Sequence, residues 1–591
     1  MSQKLLMSAA AVALIGGMSI VDTPRVTAQD VPQYDRAVPQ VCLPRPVEED
    51  RRVHYSSRAP AMVMQEQAAL SSPPPPPPPP APPPPPSSPQ PLVRAPTTLS
   101  GNFVRPQPDP MPNRDRFEDV QANPVNVTAE TPVSTFSIDV DTASYAVVRN
   151  HLHDCELPPS DAVRIEEMVN YFDYEYALPE AADSPFSTSV QVMPTPWNEN
   201  TQLLHIGVQG YDLIPTERPR ANLVFLIDVS GSMNAPDKLP LALQAMHMLV
   251  DELDEDDTVS IVVYAGAAGA VLEPTQARHA RQIHEALDSL RAGGSTAGGA
   301  GLSLAYSLAE ENFDPEAVNR VMLLTDGDFN VGVTQDERLE DFVARKRDSG
   351  IYLSVMGFGR GNYNDQMMQT IAQAGNGVAA YIDSRQEARR MLVEETFGSL
   401  FTIANDVKIQ VEFNPAQVAE YRLVGYETRL LDRADFNNDA VDAGEVGSGH
   451  SVTAIYEIAA PGSDGALTDP LRYGDASPAA HDTSAEFAHL RIRYKLPGEG
   501  ASELIERPIT PGDAVSRLSD ASVDARFSAQ VAGFSQLLRG DPYLQNGYDY
   551  DSVLDGVDGL SGQDVYGYRS QFLELVEIAR YVAWQDDLKV Y

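Results

Sequence analysis

With 591 residues the chain is long enough for several domains, each with a core of its own. Its 84 acidic against 43 basic residues leave a net charge of −41, a surface that repels nucleic-acid phosphates and gathers cations, which argues against DNA or RNA as a partner. Two cysteines, Cys42 and Cys155, are too few for a four-thiolate zinc site, and the sequence leaves open whether they pair.

In chain order, residues 1–28 have the make-up of a secretory signal: Lys4, the apolar run LLMSAAAVALIGGMSI, and VTA ahead of Gln29. The run is short for a bilayer span and rich in Ala and Gly, and no cysteine follows it closely enough for lipid attachment. The expectation is a protein exported to the periplasm or beyond, touching membranes only peripherally or through a partner. Residues 29–115 read as a Pro-rich linker without apolar periodicity, centred on PPPPPPPPAPPPPP at 73–86. A run without backbone donors adopts the polyproline II helix, here about 40 Å long at roughly 3.1 Å per residue, and reads as a stiff spacer rather than a docking site.

An accessory α+β region is expected over 116–219. STFSIDV reads as a strand, and Asp141 or Thr142 is placed to cap a helix over 143–152. LPPSDAVRIEEMVNYF reads as a second helix opened by Ser160, and STSVQVMPTPW and TQLLHIGVQGY alternate as strands do. His151 and His153, two apart, splay on a helix and read as a solvated helix end, not a metal site. Over 220–403 the strands NLVFLI, TVSIVVYA, RVMLLT, IYLSVMGFG and VAAYID are apolar throughout and alternate with helices. That pattern means a doubly wound, mostly parallel sheet covered on both faces. Residues 404–511 return to alternating β sequence, and residues 512–591 are helical. The fold class expected is therefore α/β, flanked by β-rich sandwich-like and helical accessory regions. Because β sequence lies on both sides, the α/β unit either is inserted into one sandwich or separates two β regions.

The run NLVFLIDVSGSM at 222–233 ends a strand with Asp228, Ser230 and Ser232. In open parallel sheets, ligands bind where loops meet at the carboxyl ends of strands. Two further loops reach that end: RAGGSTAGGAG at 291–301, which offers the Thr296 hydroxyl, and VMLLTDGDFN, which carries Thr325, Asp326 and Gly327. Two carboxylates and three hydroxyls are hard oxygen donors that suit Mg²⁺ first, with Mn²⁺ or Ca²⁺ also fitting. An ion so held keeps much of its charge and has a position for an anionic oxygen from outside, such as an Asp or Glu of an envelope partner.

DVSGS, Thr296 within GGSTAGG, and TDG after a strand together resemble the metal-ion-dependent adhesion site of von Willebrand factor A domains. The resemblance implies Ser230, Ser232 and Thr296 as direct or near-direct ligands, with Asp228 and Asp326 contacting the ion or its waters. VRIEEMVNYFDYEY, GFGRGNYND, DFNNDAVDAGEVGSGH and YGYRSQFLELV are similar to the bacterial YfbK-type von Willebrand factor A proteins, over residues 115–591.

Two other functions fit these residues less well. A phosphohydrolase with Asp228 as nucleophile needs an acid two positions on, where Ser230 stands, and GxSxG, P-loop and HExxH motifs are absent. A subunit of a motor ATPase needs ATP, which export removes. DFNNDAVDAGE at 435–445 places Asp435, Asn437 and Asp439 as a calcium loop does, but Ala440 replaces the turn glycine and Val446 the closing glutamate, so it reads as an acidic turn. The expected function is an exported, metal-dependent, adhesion-type binding protein and not an enzyme.

Overall fold

The computed structural model describes Cys42 and residues 115–138, 141–179, 184–213, 219–294, 298–327, 336–361, 363–394, 401–441, 443–468, 485–498, 500–545, 547–562 and 564–589. The expected signal segment and the proline run lie outside these residues.

The first accessory region holds β1 (Asn126–Val127), β2 (Val133–Ser137), α1 (Ala143–His153), α2 (Ile165–Val169), β3 (Phe186–Thr195) and β4 (Asn198–Gly210). The α/β unit opens with β5 (Ala221–Asp228), α3 (Leu239–Glu252), β6 (Thr258–Tyr264), β7 (Ala268–Gln276), α4 (Ala280–Asp288) and α5 (Gly298–Glu311). It continues with β8 (Val318–Thr325), α6 (Asp336–Asp348), β9 (Ile351–Phe358), α7 (Asp365–Ala374), β10 (Ala379–Ile382) and α8 (Arg385–Arg389). There follow β11 (Thr402–Phe413), β12 (Glu420–Val424), β13 (Gly444–Gly447), β14 (Ser451–Ala459), β15 (Ala488–Lys495) and β16 (Ser502–Ile509). Helices α9 (Val523–Arg539), α10 (Tyr550–Val557) and α11 (Tyr568–Lys589) close the described chain.

The sheet of the α/β unit runs β10-β9-β8-β5-β6-β7, parallel throughout except for β7 at one edge. β5 shows why such strands are apolar at every position. Leu223, Phe225 and Ile227 enter a core with α3 and α4, while Val224 and Leu226 enter the opposite core with α5, α6 and α7. The chain leaves β5 for β6 on one side and returns to β8 on the other. The carboxyl end of β5 is therefore the switch point where a crevice opens.

Strands from both sides of this unit share sheets. One antiparallel sheet is β1-β12-β14-β4-β3; the other is β13-β11-β15-β16, with β2 also paired to β11. β4 and β14 pair from Gln202↔Ile458 to Gln209↔Ser451. The α/β unit is thus inserted into one sandwich, whose core is closed by Phe136, Val192, Leu204, Ile409, Phe413 and Tyr456 from both sheets. The helices α1, α2 and α9–α11 form a further core around Tyr145, Phe172, Phe527, Phe534 and Phe572. α9 starts at Ser522, whose hydroxyl accepts from Ala525 N at 3.1 Å, and ends at Gly540 with φ +73°.

Several expectations need correction. Neither Asp141 nor Thr142 caps α1: Thr142 makes no capping hydrogen bond, and Asp141 accepts instead from Ala379 N at 3.1 Å and Arg429 at 3.2 Å. The second helix is interrupted, with a 3₁₀ turn at Ser160–Ala162 and then α2, because extended Arg164 points inward to pair with Glu167 and Asp365. His151 is buried rather than solvated, and its Nδ1 bonds the Val147 carbonyl at 2.9 Å. Helix α8 is short and passes into a π turn over Arg390–Glu394. Within the α/β unit the antiparallel edge strand β7 was not expected. The acidic turn stands, with Asp439 tied to Arg493 on β15 at 2.9 Å. Cys42 and Cys155 are joined by a disulfide. No helix among the described residues is long and apolar enough to cross a membrane.

Candidate metal centre

Asp228 is the last residue of β5, and the chain beyond it stays extended through Ser230 before a 3₁₀ turn at Gly231–Asn234. That path brings three expected residues together. Ser230 N donates to Asp228 Oδ1 at 2.7 Å, and Ser230 Oγ lies 2.9 Å from Ser232 Oγ. The loop after α4 holds the turn from the side: Gly293 N donates to the Val229 carbonyl at 2.7 Å and Gly231 N to the Gly294 carbonyl at 3.1 Å. Gly294 has φ +97°, and a Cβ there would come within 3.3 Å of Ala265 Cβ, so this close approach requires glycine. Thr296, two residues on, lies outside the described residues.

Asp326 follows β8 directly and is fully buried. Its charge is near enough to raise the pKa of Asp228. Its Oδ2 accepts from Lys238 Nζ at 2.9 Å. Lys238 stands immediately before α3 and is itself buried. Gly359, after β9 with φ +70°, makes room for it: a Cβ there would sit 2.5 Å from Lys238 Cγ and Cε. The sequence reading missed Lys238, because a lysine ahead of an amphipathic helix looks like any surface lysine.

The electrostatics single out Asp228. Burial pushes its pKa up to about 6, outweighing the hydrogen bonds from Ser230 and the nearby Tyr264 hydroxyl, and the Asp326 charge pushes the same way. Asp228 Oδ2 is buried with no hydrogen-bond partner among the described residues. A buried, unpartnered carboxylate oxygen is expensive unless something outside the chain completes it. With a second carboxylate and two hydroxyls beside it, the donor set fits a hard divalent cation. Among the described residues no group of three or more His, Cys, Asp or Glu side chains converges; the set at β5 is of another kind, two acids with hydroxyls.

Three family models match in succession along the chain. They are von Willebrand factor at 111–205, von Willebrand factor type A domain at 222–395, and uncharacterized protein YfbK, C-terminal, at 398–582. The chain is similar to the uncharacterized protein YfbK of Escherichia coli K12, at 43% identity over 475 residues, covering 79% of this chain and 81% of that one. It is also similar to an uncharacterized protein of Synechocystis, at 28% identity over 319 residues, covering 52% of this chain and 70% of the relative. A solved von Willebrand factor type A protein from Catenulispora acidiphila aligns with 67% of this chain and 91% of its own, at 16% identity and a TM-score of 0.36. The extent and level of the YfbK match, with an α/β unit set between the halves of a sandwich, place the chain in the YfbK family of bacterial von Willebrand factor A proteins.

Proposed function

We propose that this is an exported binding protein that grips an acidic side chain of an envelope partner through a hard divalent cation, Mg²⁺ foremost, at an adhesion-type site. Ser230, Ser232 and Thr296 would hold the ion, with Asp228 and Asp326 contacting it or its waters. The observation that carries the reading is Asp228: buried, raised to about 6, with an oxygen left unpartnered at the switch point of the sheet. The bound ion would supply an electrophilic position for a foreign carboxylate oxygen. The chain's own residues prepare for this. Ser230 N fixes the Asp228 carboxylate through Oδ1, and Lys238 neutralises Asp326, so that one of two acids arrives already matched. Less ligand charge leaves more positive charge for a partner.

Export rests on the signal-like residues 1–28 and is supported by the Cys42–Cys155 disulfide, a bond favoured in oxidising compartments. The proline run would then hold the binding unit away from its point of attachment. Binding is favoured over phosphoryl transfer because Ser230 occupies the position where such chemistry requires an acid.

Calorimetric titration of Mg²⁺ tests the centre: one site is expected in the wild type and none in Asp228→Ala, and indistinguishable isotherms would remove the proposal. Capture from envelope extracts in Mg²⁺ and in EDTA tests the bridge: the partner should be retained only with the metal, and retention in both buffers counts against bridging.

A further inference from the structure

The helices α3 and α4 carry a pair of histidines that the candidate centre does not use. His247 on α3 and His284 on α4 meet edge to edge, with ring centroids 4.8 Å apart and an interplanar angle of 23°. Their Nδ1 atoms are 2.5 Å apart. An acid stands behind each ring: His247 Nε2 lies 3.2 Å from Asp288 Oδ1, and His284 Nε2 lies 3.0 Å from Asp251 Oδ1. An ionised carboxylate can only accept, so each Nε2 carries its ring's proton. With both rings neutral, both Nδ1 atoms present lone pairs to one another. Two lone pairs at that separation repel unless a cation lies between them.

We infer that His247 and His284 form a chelating site for a late first-row divalent ion such as Zn²⁺, each imidazole binding through Nδ1 and each held by a carboxylate at Nε2. Imidazole nitrogen suits zinc, copper and nickel, where the hydroxyl-rich centre at β5 suits magnesium. A carboxylate behind a ligating imidazole fixes its tautomer and raises its basicity, and here both rings have one. A proton fills the same gap, but charge favours the divalent ion. Two neutral rings and two carboxylates sum to −2; a proton halves that and a divalent ion cancels it. For a tetrahedral ion with bonds of about 2.0 Å the nitrogens stand about 3.3 Å apart, so the rings part by about 0.8 Å. Both side chains are about a quarter exposed, which leaves room for that movement and for waters to complete the shell. Thiolates do not compete, since both cysteines are joined to each other.

The test is a Zn²⁺ titration of the full chain by calorimetry in saturating Mg²⁺, with thermal melts alongside. The wild type should bind one Zn²⁺ tightly and melt higher with it. Either single variant, His247→Gln or His284→Gln, should bind at least tenfold more weakly, and Asp288→Asn about 10–100-fold more weakly. Asp228→Ala should leave the Zn²⁺ isotherm unchanged, which separates this site from the centre at β5. Circular dichroism checks that the variants keep their fold. Equal Zn²⁺ isotherms for the wild type and the double variant His247→Gln/His284→Gln would overturn the inference and leave a pair that shares only a proton.

Discussion

Two buried regions of this molecule hold the same kinds of residue in opposite states. At the junction of α1, α2 and the α/β unit, Arg164 pairs with both Glu167 and Asp365. Glu167 also accepts from Ser144 N at 2.8 Å and Gln369 at 2.9 Å, and Asp365 accepts from the Tyr363 hydroxyl at 3.1 Å. Burial alone would push Glu167 up, but the Arg164 charge and these hydrogen bonds outweigh it and hold the pKa below the ordinary carboxylate value. Asp365, sharing the same arginine, is pushed up by burial all the same, yet both its oxygens are bonded. At the carboxyl end of β5 Asp228 is raised as well, but its Oδ2 makes no well-formed hydrogen bond among the described residues, with the Tyr264 hydroxyl near the carboxylate. The difference is the supply of partners. A chain that satisfies buried acids so thoroughly at one place leaves a deficit where its loops meet, and that deficit is what the proposed ion would fill.

The contrast breaks most visibly at Arg164. Arg164→Met strands two buried acids without a cation and should cost about 3–5 kcal/mol, read from denaturant midpoints, with no recovery in Mg²⁺. Lys238→Met removes the matching cation at the other region and should cost about 3 kcal/mol in EDTA. Here Mg²⁺ should restore most of the loss, because an ion can take over the missing charge. If the two variants respond alike to Mg²⁺, the regions do not differ as argued.

Buried bases in the sandwich sharpen the comparison through pH. His205 on β4 and His450 ahead of β14 are held neutral, burial lowering each to about 4 from 6.5. Their folded values are depressed, so the stability they contribute is complete above pH 6.5 and is lost as pH falls toward 4, by up to about 3 kcal/mol each. Asp228 has the opposite sign: its raised value makes the folded chain, without metal, less stable as pH rises through about 6. Unfolding measured from pH 8 to pH 4 in EDTA should show the acid-side loss, and His450→Gln should flatten it. An unchanged slope would discard the buried-imidazole account.

How much of this was readable beforehand depends on whether the cause was local. β5 alternates its side chains between two cores, so its greasy run announced a covered parallel strand, and the same run ended on Asp228, Ser230 and Ser232. The fold and the meeting of these three residues were legible together there. The edge strand β7 was not, because Ala268–Gln276 is short of large apolar residues, contains Pro274 and buries only Leu272. Insertion into one sandwich stayed open because only pairing across the whole α/β unit, as in Gln209↔Ser451, decides it. Arg149, Arg164 and Lys238 give no local sign of burial, and partners distant in sequence, Asp383, Asp365 and Asp326, take them inside. Thr296 remains a reading of the sequence, since it lies outside the described residues.

The smallest expected effect is also the one that separates the two regions most cleanly. Asp228→Asn keeps the shape of the side chain and removes the charge that burial disfavours. With a folded value of about 6 against 3.8 for the free side chain, ionised Asp228 costs the metal-free chain up to about 3 kcal/mol at pH 8. The amide brings buried donors of its own, which return part of that, so the net gain in EDTA should be about 1 kcal/mol. In Mg²⁺ the order should reverse, because the proposed ion would stabilise the wild type and not the variant. Thermal melts in the two buffers would therefore cross, the variant higher in EDTA and the wild type higher in Mg²⁺. A variant less stable in both would make Asp228 a structural acid like Glu167, and the deficit at the end of β5 would no longer set that region apart.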